Sequence, residues 1–137
     1  MKQELGDEIM GWDASFASRA DSGDLSVGII GLGYVGLPTA IGFRDAGFNV
    51  WGVDVSERIV NALHEGHNPL GDPDLDDMIP APGSERWNIT RSTAEATAAC
   101  DVLIVTVPTP VSDDLKPDLS YVKSAGRAVF EAAGKGN

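Results

Sequence analysis

Two kinds of block alternate along this chain of 137 residues. Short runs rich in β-branched residues occupy 26–30, 49–53, 87–90 and 102–107. Between them lie stretches in which apolar residues recur every three or four positions. The short runs predict strands, and the last of them, Val-Leu-Ile-Val-Thr-Val, has the near-continuous apolar character of a strand buried on both faces of a parallel sheet. The longer stretches predict helices. One runs over 34–46, with Pro38 in its first turns and Gly47 just beyond its end. Ser56 caps a second, whose Ile59, Val60 and Leu63 share a face before Gly66 stops it. Asp72-Pro73 opens a short helix through Met78, and Ser92-Thr93-Ala94-Glu95 is a capping box for the next one. Asp118 caps the last helix, with Leu119, Val122, Val129, Phe130 and Ala133 on one face. Strand and helix thus alternate four times, which predicts an α/β protein with a parallel sheet and helices on both faces.

The junction between the first strand and the first helix carries the chemistry. It reads Gly31-Leu32-Gly33-Tyr34-Val35-Gly36, and an acid, Asp54, ends the second strand 18 residues after Gly36. A glycine turn between strand and helix, followed at that distance by a carboxylate, has the layout of a Rossmann-type dinucleotide unit, which gives a sheet order 3-2-1-4. Gly31 allows the tight turn, Gly33 lets a diphosphate approach the backbone, and Gly36 permits close packing of the helix. The N–H groups of Tyr34 and Val35, at the positive end of the helix dipole, would bind the diphosphate. Asp54 would accept hydrogen bonds from both adenosine ribose hydroxyls and repel a 2′-phosphate, so NAD is expected over NADP. Arg58, a helical turn on, could pair with Asp54, cover the adenine or approach a 2′-phosphate. Thr109, between Pro108 and Pro110, follows the fourth strand at the sheet end where such folds bind ligands.

Composition narrows the partners. With 21 acidic against 10 basic residues the net charge is -11, which argues against nucleic acid or an anionic membrane surface. A bound anion must then be held by local dipoles. No apolar run approaches the ~20 residues of a membrane helix, and the first residues lack the pattern of a secretory signal, so a cytoplasmic protein is expected. One cysteine, Cys100, excludes an intrachain disulfide and reads as a small buried hydrophobe. His64 and His67 lack the partners of a metal site, and no metal is expected. Residues 1–24, polar and acidic, are expected to be a flexible leader in which Ile9, Met10, Trp12 and Phe16 could form a short amphipathic turn.

Taken together, GLGYVGLPTA at 31–40, GVD at 52–54, Gly66, Pro69, Asp72-Pro73-Asp74-Leu75, VPTP at 107–110 and KPDLSYVKSAGRAV at 116–129 resemble the NAD-binding domain of the UDP-glucose/GDP-mannose dehydrogenase family. VPTP followed by PDLSYV is most similar to its UDP-N-acetyl-D-mannosamine dehydrogenase branch. The resemblance covers about residues 25–137. It implies NAD-dependent oxidation of the C6 alcohol of a nucleotide sugar to a carboxylate, in two hydride transfers through a cysteine-linked intermediate. By matching position, Tyr34, Val35, Asp54, Arg58 and Thr109 would contact NAD. Where the family commonly has glutamate before the proline at 73, this chain has Asp72. The family's cysteine nucleophile, lysine and asparagine belong to segments beyond this sequence, and Cys100 does not match the nucleophile's motif. The expectation is therefore a partial NAD-binding domain over 25–137, without catalytic residues of its own, from a longer enzyme. A free-standing NAD-binding sensor and another type of Rossmann dehydrogenase are the alternatives. The open edge of the fourth strand leaves a homo-oligomer open.

Overall fold

Chain segments rich in valine and isoleucine form strands here, but only the two central ones are buried as a strand covered on both faces should be. The run at 102–105, at the open edge, is half-buried, with Val105 40% exposed, rather than buried as its apolar character predicts. The computed structural model describes residues 14–133. Its strands are β1 (Ser26–Ile30), β2 (Asn49–Val53), β3 (Trp87–Thr90) and β4 (Val102–Val105), all parallel and in the order β3-β2-β1-β4. This is the predicted sheet. In register, Val27 lies between Val50 and Val102, and Ile30 between Val53 and Val105. The helices are α1 (Ala14–Ser22), α2 (Gly36–Asp45), α3 (Glu57–His64), α4 (Thr93–Ala99) and α5 (Ser120–Ala133).

Alternation along β1 divides the core between the faces. Val27 and Ile29 pack with Leu32, Leu37, Ala40, Ile41 and Leu63 on the side covered by α2 and α3. Ile30 and Val53 pack with Ala96 of α4 and with Ala125 and Val129 of α5 on the other. Ile29, Leu32 and Leu37 are fully buried, so the glycine turn that joins β1 to α2 rests on the centre of the core.

The boundaries move for local reasons. The helix expected over 34–46 begins at Gly36, with Val35 as its N-cap, and Gly47 beyond its end has φ +102°. Ser56 Oγ accepts from the Ile59 N–H at 3.4 Å, and Ser92 Oγ from the Glu95 N–H at 3.1 Å, as caps should. Glu95 completes the box differently: its carboxylate accepts from the Thr90 hydroxyl at 3.0 Å, and Thr90 Oγ1 accepts from the Ser92 N–H. The short helix after Asp72 is one 3₁₀ turn, Pro73–Leu75, followed by turns. β4 stops at Val105 rather than 107 because its neighbour β1 ends at Ile30, where the chain bends away at Gly31.

Two helices depart further from expectation. On α5 the half-buried positions are led by Ala125, Ala128, Val129, Ala132 and Ala133, so Val129 and Ala133 face inward as expected, whereas Val122 and Phe130, and Leu119 just before the helix, are exposed, Phe130 by 80%. Small residues let α5 lie close to the alanine-rich α4, so the larger apolar side chains turn outward. α1 falls within the expected leader. Arg19 fastens it: Nη2 donates to Asp101 Oδ2 at 2.9 Å and Nε to the Asp24 carbonyl at 3.0 Å. Asp101 also accepts from the Ser26 N–H, and that bond together with Arg19 holds its carboxyl below the usual range. Ile9, Met10 and Trp12 lie outside the described residues.

Candidate functional site at the glycine turn

The carboxyl ends of β1, β2 and β4 converge on residues 31–36. Gly31 has φ +101°, a left-handed conformation, and a Cβ there would lie 2.7 Å from the Thr106 carbonyl oxygen. Its N–H donates to the Val53 carbonyl at 2.7 Å. The next N–H, of Leu32, donates to Asp54 Oδ2 at 2.9 Å, while Asp54 Oδ1 accepts from the Ser56 N–H at 2.9 Å. Gly36 is needed for the closest approach. A Cβ there would stand 1.7 Å from the Gly31 carbonyl oxygen and 2.6 Å from Thr106 Oγ1. The helix therefore packs on the strand ends and the turn itself.

Gly33 differs from its neighbours, because a Cβ on it would meet nothing within 4 Å. The space in front of the turn is open. Among the described residues, no acceptor meets the N–H groups of Gly33, Tyr34 or Val35, and no side chain caps α2. These are the orphan donors of a helix start, and with the positive end of the dipole they form a ready anion cradle. A diphosphate fits this cradle: it needs close backbone approach at Gly33 and supplies acceptors for amides that have none. Tyr34 and Val35, about 70% exposed, flank the opening.

The other predicted site residues lie at varying distances from this cradle. Asp54 reaches it directly. Arg58 does not pair with Asp54: its Nη1 donates to the Pro69 carbonyl at 3.0 Å, tying α3 to the loop that follows. The Tyr34 hydroxyl extends toward that same loop, 3.9 Å from where a Cβ of Gly71 would sit. Asn68 braces the loop, donating to the Asp72 carbonyl and to Asp76 Oδ1, each at 2.8 Å. Thr109 lies exposed beyond β4, ahead of a turn closed by the Val111–Pro117 bridge. The residue of this segment that touches the glycine turn is Thr106, whose Oγ1 donates to the Gly31 carbonyl at 2.8 Å. Sequence reasoning passed over it. The available signal was one hydroxyl inside an otherwise apolar run.

Among the described residues, no other feature forms a competing centre. A depression of about 390 Å³ lined by Arg19, Ser22, Ser26, Asn49 and Arg86 lies at the amino ends of the strands, whereas open α/β sheets bind ligands at the carboxyl ends. Among the described residues no three His, Cys, Asp or Glu side chains gather as a metal site. His64 Nε2 lies 2.8 Å from the Ile89 carbonyl. Burial first, then the charge of Asp101, push the Cys100 thiol up to about 12. At pH 8 roughly one molecule in 10⁴ then carries a thiolate. A maleimide or iodoacetamide at that pH should modify Cys100 at least about tenfold more slowly than free cysteine by mass spectrometry, and labelling at the free-cysteine rate would contradict this shift.

Comparison with known proteins agrees with this geometry. Residues 25–137 match the model of the NAD-binding domain of the UDP-glucose/GDP-mannose dehydrogenase family. An NDP-N-acetyl-D-galactosaminuronic acid dehydrogenase of Ralstonia nicotianae is 36% identical over 112 residues, which are 82% of this chain and 26% of that protein. A UDP-N-acetyl-D-mannosamine dehydrogenase of Methanococcus maripaludis is 40% identical over 114 residues, 80% of this chain and 26% of that protein. Among solved structures, a UDP-glucose dehydrogenase from Pyrobaculum islandicum superposes with a TM-score of 0.74 at 38% identity, over 79% of this chain and 25% of that one. The chain thus spans about a quarter of the length of the relatives it matches. It belongs to the UDP-glucose/GDP-mannose dehydrogenase family, whose NAD-binding domain it carries.

Proposed function

We propose that this chain supplies the cofactor-holding part of a nucleotide-sugar 6-dehydrogenase, with UDP-N-acetyl-D-mannosamine as the substrate of the complete enzyme. The open cradle at Gly33 carries this reading, because unmet amides at a helix start, free of side chains, suit a diphosphate. Gly31, Gly33 and Gly36 shape the turn, and the amides of Tyr34 and Val35 hold the diphosphate. Asp54 holds the adenosine ribose and Arg58 stands beside it, while Thr109 lies toward the nicotinamide half. NAD, when bound, accepts hydride. Oxidising a primary alcohol to a carboxylate removes two hydrides, takes its second oxygen from water and releases three protons, so each turnover would reduce two NAD. The substrate's C6 carbon would donate each hydride, and the residues that act on it would belong to other segments of the complete enzyme. Among the described residues no helix is long and apolar enough to cross a membrane, and we place the protein in the cytoplasm.

Calorimetric titration of the chain with NAD and with NADP tests the cofactor assignment. NAD should bind at least about tenfold more tightly, the repulsion of a 2′-phosphate by Asp54 being worth at least one charged contact. Equal affinities, or no binding of either, would overturn it.

A further inference from the structure

The peptide unit joining Gly31 to Leu32 is gripped at both polar ends by groups from different strands. Its carbonyl accepts from Thr106 Oγ1, just past β4, at 2.8 Å, and its N–H donates to Asp54 Oδ2, just past β2, at 2.9 Å. β1 lies between those two strands, so the grips come from opposite sides. A planar peptide between fixed neighbours keeps one rotational freedom, and holding its C=O and N–H together removes it. The amides of Gly33, Tyr34 and Val35 follow directly, and their aim depends on this plane. The Thr106 hydroxyl also lies 3.4 Å from the Ile30 carbonyl, but that strand carbonyl has a nearer donor. The Thr106 backbone N–H already donates to the Ile30 carbonyl at 2.8 Å, and valine would suit the apolar run equally well.

We propose that Thr106 is a positioning residue for the cofactor's diphosphate: its hydroxyl sets the Gly31–Leu32 peptide so that the following amides converge on the open space at Gly33. It acts through the Gly31 carbonyl. This rests on the cofactor reading given above.

Titration of the ¹⁵N-labelled chain with ADP-ribose, which carries a diphosphate, and with adenosine, which carries none, separates positioning from general packing. Thr106→Val should weaken ADP-ribose about tenfold, as expected for one lost hydrogen bond at a part-buried carbonyl, and leave adenosine unchanged. The Leu32 amide resonance should move in the ligand-free variant. Thr106→Ser should restore ADP-ribose affinity to within about twofold of the original chain, since it keeps the donor. If Thr106→Val does not fold, Thr106→Cys, with a weak donor of similar size, should fall between the other two. Equal weakening of both ligands would mean a packing defect and would overturn the proposal, as would undiminished ADP-ribose binding by Thr106→Val. An original chain that binds neither ligand would overturn the cofactor reading itself, and this proposal with it.

Discussion

Gly36→Ala should cost at least about 3 kcal/mol of stability, the upper range for forcing atoms into a packed interior. The added methyl would sit 1.7 Å from the Gly31 carbonyl oxygen and 2.9 Å from its carbon. Neither is the far end of a flexible side chain. The oxygen belongs to a peptide hydrogen-bonded on both sides, so relief requires α2 to lift from the strand ends. Such a loss is a large part of the ~5–15 kcal/mol available to a domain. In urea the unfolding midpoint should fall by about 1–3 M, given a slope of roughly 1–3 kcal/mol per M. Gly42→Ala is the control. It lies within α2, exposed, with nothing within 4 Å of a Cβ, and should stabilise the chain by about 0.5–1 kcal/mol. An unchanged midpoint for Gly36→Ala would mean that the turn and helix are less closely apposed than described.

Asp54→Ala should lower NAD affinity by about 10- to 100-fold, because hydrogen bonds to a charged group are each worth about 1.5–3 kcal/mol. Two effects combine. The carboxylate is lost as the proposed ribose acceptor, and the Leu32 and Ser56 N–H groups lose the partner they now share. NADP should lose less, since the variant no longer repels its 2′-phosphate, and the preference for NAD should narrow. Asp54→Asn separates the contributions. Its one carbonyl oxygen can still accept from one of the two amides, so it should retain more stability than alanine while losing the charge. Calorimetry with both cofactors, beside thermal unfolding, measures each part. An NAD dissociation constant for Asp54→Ala within about twofold of the original chain would remove Asp54 from the site.

The sequence disclosed those parts of the fold that local chemistry determines. The four strands were legible because each is a short run rich in β-branched or aromatic residues bounded by turn and cap residues, as strands of a parallel sheet are. Gly31 was legible because a positive φ and a 2.7 Å approach to the Thr106 carbonyl oxygen leave room for no side chain. What failed depended on contacts between distant segments. On α5 the spacing places Val129 and Ala133 inward correctly but not Leu119, Val122 or Phe130, because the helix meets the small side chains of α4 through residues such as Ala125 and Val129. α1 was hidden because its anchor, Arg19 on Asp101, joins residues 82 positions apart. Arg58 has several acceptors within reach by spacing alone, and only the folded loop decides for Pro69. Thr106 was overlooked because a threonine in an apolar run is an ordinary strand residue, and its acceptor lies 75 positions earlier.

The two grips on the Gly31–Leu32 peptide span 75 and 22 positions of chain. Contacts of such long range form late, since the loops between them must first be closed at an entropic cost. A polypeptide emerging from the ribosome would thus display the glycine signature well before it could grasp a dinucleotide at full strength, which would come once β4 had joined the sheet.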